Sequence, residues 1–289
     1  MELHLQRTVW TDYLALAKPR VVLLHLITAA AAMFLAAKGL PPVSILIFIL
    51  VGGALMVGSS NALNCYIDRD IDGMMVRTHN RPLPAGRLKP SQAMAFGVIT
   101  GFISLLILSR LVSLVAAAMA AGALIYYIVV YTLWLKRRTS WSAVIGSGAG
   151  AFPPLIGWIA ITGTIGVTPF ILFAIVALWS PPHFWALAIS RRSDFRNVGL
   201  GVMPARNTSR WIMLFSFLVV AASLLLVPIA HLGFLYLGTA SILGLGFLGL
   251  AARLLYREDA HTARHLFSYS IMFLIILFGA MLIDHLVFF

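Results

Sequence analysis

Residues 43–63, VSILIFILVGGALMVGSSNAL, lead without interruption into Asn64-Cys65-Tyr66-Ile67-Asp68-Arg69-Asp70-Ile71-Asp72. The first part is uncharged and long enough to cross a bilayer as a helix, which takes about 20 apolar residues. The second gathers three of the chain's nine acidic residues at the end of that helix. Carboxylates are costly beside hydrocarbon and are seldom collected there without a task. Arg77, Arg81, Arg87 and Lys89 follow closely. Acids and bases thus meet at a membrane surface, a combination suited to metal and phosphate.

The rest of the 289-residue chain matches that setting. It is 61% hydrophobic and 10% charged, with a mean hydropathy of +0.97, which excludes an ordinary soluble domain. Apolar segments near 21–37, 43–63, 92–109, 112–135, 141–162, 168–190, 211–230, 232–252 and 266–283 predict nine transmembrane helices. The segment before Pro19 carries Glu2 and Asp12 and resembles neither a secretory signal nor a transit peptide, so a mature prokaryotic chain is expected. The single cysteine, Cys65, excludes an intrachain disulfide and a cysteine-only metal site. A formal charge of +12 would suggest nucleic acid in a soluble protein. Here the bases punctuate the spans, so no nucleic-acid partner is expected. With the N-terminus cytoplasmic, all of the 21 Lys and Arg residues except Lys38 and Arg110 fall on the inner side, and the C-terminus lies opposite.

No linker divides the chain, so one all-α domain over 1–289 is expected. The two long polar loops, 65–91 and 191–210, lie four helices apart. That spacing fits two tandem four-helix units and a ninth helix, with Pro84-Ala85-Gly86-Arg87 echoed by Pro204-Ala205-Arg206.

On a continued helix Asn64, Asp68 and Asp72 form one stripe that rises about 6 Å per step, with Asp70 nearly opposite. An amide oxygen and two carboxylates suit Mg²⁺, which is usually held by one or two carboxylates plus water and substrate phosphate. Asp70 is expected to pair with a neighbouring base. Pro82 and Pro84 disfavour further helix, so the loop bearing Arg77 and Arg81 can fold back and clamp phosphate oxygens. Arg87 and Lys89 read as charges facing lipid headgroups. Tyr126, Tyr127 and Tyr131 precede Lys136-Arg137-Arg138 at the end of the fourth span. Most of these read as an interfacial belt with positive-inside charges, whereas Tyr131 is a candidate for stabilising an allylic cation. Pro181-Pro182-His183-Phe184-Trp185 predicts a broken, cavity-lining sixth helix, with His183 as a base or a contact to a planar cofactor. Asp194, with Arg191, Arg192 and Arg196, opens the second polar loop. His25 and the glycines of Gly146-Ser147-Gly148-Ala149-Gly150 complete the candidates, the glycines allowing close helix approach or room for a flat ligand.

Asn64-x3-Asp68-x3-Asp72, Arg77-Thr78 and Arg81-Pro82-Leu83-Pro84-Ala85-Gly86 resemble the first aspartate-rich motif of the UbiA superfamily of intramembrane prenyltransferases. Within it, Tyr131-Thr132-Leu133-Trp134-Leu135-Lys136-Arg137, Gly148-Ala149-Gly150-Ala151-Phe152-Pro153-Pro154-Leu155-Ile156-Gly157-Trp158 and Trp179-Ser180-Pro181-Pro182-His183-Phe184-Trp185-Ala186-Leu187-Ala188 are similar to the protohaem IX farnesyltransferase family. The resemblance implies nine helices around a central cavity under a cytoplasmic polar cap, in a bacterial inner membrane. It also implies Mg²⁺-dependent transfer of farnesyl from farnesyl diphosphate to a vinyl group of haem b, giving haem O for terminal oxidases. Membrane lipid surrounds the enzyme, and haem A synthase or the oxidase assembly machinery are its expected associates. By position, Asn64, Asp68, Asp72 and Asp194 would hold metal. Arg77, Arg81, Lys136, Arg137 and Arg192 would bind diphosphate, Tyr131 would act in catalysis, and His183 and His25 would face haem. The second motif departs from the superfamily's Asp-x3-Asp, since Val198 follows Asp194 at that spacing. Prenylation of an aromatic quinone precursor is the alternative reaction, and a membrane transporter the alternative class.

Overall fold

The computed structural model describes residues 9–198 and 205–288. Arg7 and the 199–204 stretch, Pro204 included, lie outside the described residues, as do the side chains of Arg196 and Arg206. Helix α1 (Val9–Ala17) precedes α2 (Pro19–Ala37), α3 (Val43–Ile67), a short α4 (Arg69–Met74), α5 (Pro90–Leu111) and α6 (Leu114–Ile125). A π-helical segment, Tyr126–Leu135, continues α6. Then come α7 (Ser142–Thr162), α8 (Val167–Ser190), a short α9 (Arg192–Asn197), α10 (Ala205–Ala230), α11 (Phe234–Arg257) and α12 (Ala260–Phe288). Among the described residues there is no strand, and nine helices are long and apolar enough to cross a membrane. The protein is polytopic, and the odd-numbered turns between spans stand opposite a polar cap built from α1, α4, α9 and the loops around them.

Small residues set the helix spacing. In place of a hydrophobic drive between helices in lipid, close packing and hydrogen bonds across the contact hold the bundle. Helices α3 and α5 pack along most of their length. Ser59 Oγ donates to the Gly97 carbonyl at 2.6 Å and Ser104 Oγ to the Gly52 carbonyl at 2.6 Å. Between α2 and α7 the contact is backbone to backbone, since a Cβ on Gly157 would stand 2.4 Å from the Ala29 carbonyl oxygen. Arg87 is more than an orientation charge. Its Nε donates to the buried Asp12 at 2.9 Å and its Nη2 to the Asn80 carbonyl at 2.9 Å. This ties α1, whose Trp10 and Leu14 are exposed, to the first polar loop as an interfacial helix.

Two elements differ from the sequence expectation. Helix α8 is continuous through Pro181 and Pro182 rather than broken. Proline removes a donor, but in hydrocarbon an unwound turn would expose several more backbone groups. The turn is also clamped to α12, with Trp179 Nε1 donating to the Ser270 carbonyl at 2.6 Å. The fourth span, expected as one α-helix, changes to i→i+5 bonding over its last ten residues. Lys136 N donates to Tyr131 O at 2.8 Å, and Thr132 Oγ1 reinforces the wide turn by donating to Tyr127 O at 2.8 Å. Such segments are frequent at functional sites. This one brings Tyr127 and Tyr131 to the cavity and Thr132 and Lys136 to Asn64 and Asp68.

Gly157→Ala is expected to destabilise the protein by about 1–3 kcal/mol through overpacking against α2. Gly122→Ala, where a Cβ meets nothing within 4 Å, should be neutral or slightly stabilising, and thermal unfolding of the two variants in detergent gives the comparison.

Candidate active site

The apolar residues of α3 carry the helix to Ile67, where Asp68 leaves ideal geometry (φ −87°, ψ 8°) and α4 resumes. The bonding rhythm survives the kink. Asp68 N donates to Asn64 O at 2.9 Å and Asp72 N to Asp68 O at 2.8 Å. Asn64, Asp68 and Asp72 therefore share the inner face and are 4%, 1% and 4% exposed, while Asp70 points outward. Arg137 grips Asp70 with both terminal nitrogens at 2.8 Å, and that bond holds the Asp70 carboxyl below the usual carboxylate range. Arg137, expected at the diphosphate, is thereby engaged outside the cradle, its nearest approach to Asp68 being 3.9 Å.

Cations meet each inner acid. Lys136 donates to Asp68 Oδ2, which also receives Asn64 Nδ2 at 2.7 Å. Arg81 Nη1 donates to Asp72 Oδ2 at 2.6 Å. The turn from 75 to 89 folds back as its prolines require, with buried Thr78 donating to the Asp72 carbonyl at 2.9 Å. The two polar loops touch where Arg77 N donates to Asp194 Oδ2 at 3.3 Å. Asp194 is buried on α9 beside an apolar cluster of Ile71, Met75, Ala188 and Phe195, and Val198 packs against that cluster. The position of a second carboxylate is thus part of a hydrophobic seal. Arg192 is half-buried on α9, and among the described residues no ion pair joins it to Asp68, Asp72 or Asp194.

Lys18 is the cation that the sequence reading missed, having been counted only among the topology charges. It takes a left-handed conformation (φ 54°, ψ 69°) just before Pro19, an uncommon state for a residue with a side chain. That turn sends Nζ to Asn64 Oδ1 at 3.1 Å. Burial pulls its ammonium below the usual lysine range against an opposing pull from Cys65 and, more weakly, Asp72, while the nearby charges of Arg81 and Lys136 act in the same direction as burial. A lysine ahead of the first span's proline was the only sequence signal.

A metal fits this cradle. Asp68 Oδ1 is buried and has no hydrogen-bond partner, its cation contact being the loose 3.9 Å approach of Arg137 Nη2, and a closer cation would relieve it. Among the described residues no three His, Cys, Asp or Glu side chains gather to hold a metal by themselves. Such a count suits Mg²⁺, which completes its shell with water and substrate phosphate.

Below the cradle lies a predominantly apolar cavity of about 380 Å³, lined among others by Met56, Asn61, Tyr127, Tyr131, Phe152 and Phe184. The Tyr127 and Tyr131 rings stack with centroids 5.5 Å apart. Gly146 makes room for Tyr131, since a Cβ there would fall 2.1 Å from the ring, and Gly150 faces His25. The glycine run thus seats cavity side chains. His25 and His183 both line the cavity. His25 Nδ1 lies 2.7 Å from the Val21 carbonyl, which can only accept, so this nitrogen carries the proton. His183 is sandwiched between Trp179 and Phe267, with centroids 4.5 and 4.6 Å away. Its Nδ1 lies 2.7 Å from Ser270 Oγ, whose own proton goes to the Phe267 carbonyl at 2.6 Å. Ser270 must therefore accept from His183, leaving Nε2 of each histidine as the nitrogen with the free lone pair. Ser270 and Phe267 carried no sequence signal.

The model of the UbiA prenyltransferase family matches residues 25–277. A protoheme IX farnesyltransferase of Symbiobacterium thermophilum is 45% identical over 280 residues, covering 94% of this chain and 93% of that protein. One from Gloeobacter violaceus is 45% identical over 278 residues, covering 94% and 91%. Among solved structures, a digeranylgeranylglyceryl phosphate synthase superposes with a TM-score of 0.78 at 18% identity, covering 96% of this chain and 98% of that one. A UbiA homologue from Archaeoglobus fulgidus bound to DMAPP and Mg²⁺ gives 0.70 at 16% identity, covering 96% and 100%. The nine-span bundle, the acidic cradle over an apolar cavity and these likenesses agree, and the chain belongs to the UbiA prenyltransferase family, in its protoheme IX farnesyltransferase branch, as a membrane-embedded prenyltransferase.

Proposed function

We propose that this enzyme transfers farnesyl from farnesyl diphosphate to a vinyl carbon of haem b, producing haem O and diphosphate in a bacterial cytoplasmic membrane, with the N-terminus and polar cap on the cytoplasmic side. The observation that carries the proposal is the stacking order: a charged cradle, then stacked tyrosines, then an apolar cavity with two histidines whose Nε2 atoms carry free lone pairs. The named relatives supply the donor and acceptor.

In this reading Asn64, Asp68 and Asp72 hold Mg²⁺, with Asp194 on the facing wall. Bound there, the cation would supply charge neutralisation to the diphosphate as it departs. The chain's own part is preorganised charge. Lys136, Arg81, Lys18 and Arg77 surround the diphosphate oxygens, so the allylic C–O bond breaks with its electrons on the leaving group. The Tyr131 ring beside Lys136 faces the electron-poor carbon, and the apolar walls keep water from it. Attack by the vinyl carbon forms the C–C bond and moves the cation to the carbon next to the porphyrin, where water adds through its oxygen and releases one proton, taken up by the departing diphosphate or by solvent, to give the hydroxyl of haem O. His183 and His25 face the haem from two helices.

Mass spectrometry of haem after incubating purified protein with farnesyl diphosphate, Mg²⁺ and haem b should find haem O. Loss of at least about 100-fold in rate is expected for Asp68→Ala and Asp72→Ala, since each removes charge stabilisation worth about 2.7–4 kcal/mol. Prenylation of 4-hydroxybenzoate without haem turnover would instead favour the aromatic acceptor. Because Lys136 and Arg81 occupy the carboxylates when no diphosphate is bound, Mg²⁺ alone should bind weakly in calorimetry, with inorganic diphosphate raising its affinity and the reverse holding equally. Diphosphate binding needs Lys18 charged, and its pKa lies below the lysine norm. Affinity should therefore fall as pH rises through that lowered value, and Lys18→Arg should move the fall to higher pH.

A further inference from the structure

Outside the cavity, one pair of side chains has the geometry of a chelate. We propose that His261 and His265, on the first turns of α12, form a site for a divalent transition cation such as Cu²⁺, Ni²⁺ or Zn²⁺, separate from the prenyl-transfer cradle. Residues four apart on a helix stand one above the other. Both histidines are exposed, their ring centroids are 4.4 Å apart and their Nε2 atoms 3.2 Å apart. Two imidazole nitrogens on one tetrahedral cation, each at about 2.0–2.1 Å, are necessarily about 3.3 Å from each other. The two nitrogens thus already stand at the separation that a shared cation requires, and the rings, inclined at 69°, would need only to turn about their side-chain bonds to aim both at it.

The backbone under the pair is fixed by Asp259, which receives Thr262 N at 2.7 Å and Thr262 Oγ1 at 2.8 Å and so caps the helix. The Asp259 carboxylate also lies close enough to interact with His261 electrostatically, a favourable charge for a nearby cation. Arg264 follows on the same helix, about 100° around from His265, and Arg253, Arg257 and Glu258 flank the turn before it. Imidazole pairs favour the later first-row metals, and an oxygen-preferring ion such as Mg²⁺ has no reason to choose them. By the alternation of spans the site lies on the side of the polar cap. Its occupancy would clip the first turns of the helix whose Phe267 and Ser270 hold His183.

The test uses the full-length protein without a polyhistidine tag, in detergent or nanodiscs, titrated with Cu²⁺ and with Ni²⁺ by calorimetry and, for Cu²⁺, by electron paramagnetic resonance. The expected result is one cation per chain with two nitrogen donors, and an affinity at least about tenfold lower in either His261→Ala or His265→Ala because the second ligand of a chelate binds intramolecularly. Circular dichroism and prenyl transfer should be unchanged in both variants, since neither residue lines the cavity. Equal cation affinity in wild type and the double variant would overturn the proposal, as would a one-nitrogen spectrum. Either result would leave the pair as a histidine–histidine hydrogen bond only.

Discussion

Two carboxylates at the end of an apolar helix can stay charged only if cations meet them, and the polar cap is arranged around that requirement. Taking an ion out of water costs several kcal/mol, and a pair repays it only when its geometry is good and its other valences are filled. Asp72 is met by Arg81, which lies on the loop immediately after it, and Asp68 by Lys136, which comes from the far end of another span. The first pairing makes the loop turn back over its own helix. The second draws the end of the fourth span onto α3, where Asn64 Nδ2 also reaches Thr132 Oγ1 at 3.3 Å.

That second demand accounts for the irregular helix. A regular α-helix sets Thr132 and Lys136 one turn apart and puts Tyr127 and Tyr131 on a face that drifts from them. Wider i→i+5 turns let residues four and five apart converge, so the tyrosines, the threonine and the lysine serve one wall. The cost of the unusual bonding is offset by the Thr132 hydroxyl, by the stacked rings and by the room that Gly146 leaves for Tyr131. Packing then extends the same logic downward. His183, held between two aromatic faces and a serine oxygen, has little freedom to rotate, and its free nitrogen is fixed by the proton count of Ser270 alone.

Much of this was legible before any coordinates. The nine spans among the described residues follow from hydropathy, because bilayer thickness sets a minimum apolar length for every crossing helix. The split between Asp68 and Asp72 on one side and Asp70 on the other follows from helical spacing, and it survives the kink because the i→i+4 bonds do. What periodicity could not supply were facts of the third dimension. Lys18 looked like any boundary lysine, and only its left-handed turn carries it inward. Arg137 looked equivalent to Lys136, but one position further on its side chain meets Asp70 instead. The proline pair of α8 signalled a break by local rules, and the surrounding apolar bundle, with no water to satisfy freed carbonyls, favoured continuity. Ser270 has no motif at all, since its role depends on a histidine 87 residues earlier in the chain.

Charge balance connects the cap to its chemistry. Asp68, Asp72 and Asp194 face Lys18, Arg77, Arg81 and Lys136, with Asp70 and Arg137 cancelling outside. Among the described residues, with Arg191 also acting on Arg77, positive charge is left over in a region that borders hydrocarbon. A diphosphate ester with roughly three negative charges, accompanied by one divalent cation, brings one net negative charge. In the proposed reaction the negatively charged substrate would offset that excess, whereas a divalent cation arriving alone would add to it in a poorly solvated place, where charge is costly. In the proposed reaction, ionisation of the substrate would create an anion held by fixed bases and a cation beside aromatic rings, without changing the total charge. Under the proposed reaction, fixed positive charge in the cap would favour the metal arriving together with diphosphate and would hold the departing diphosphate while the new carbon–carbon bond forms.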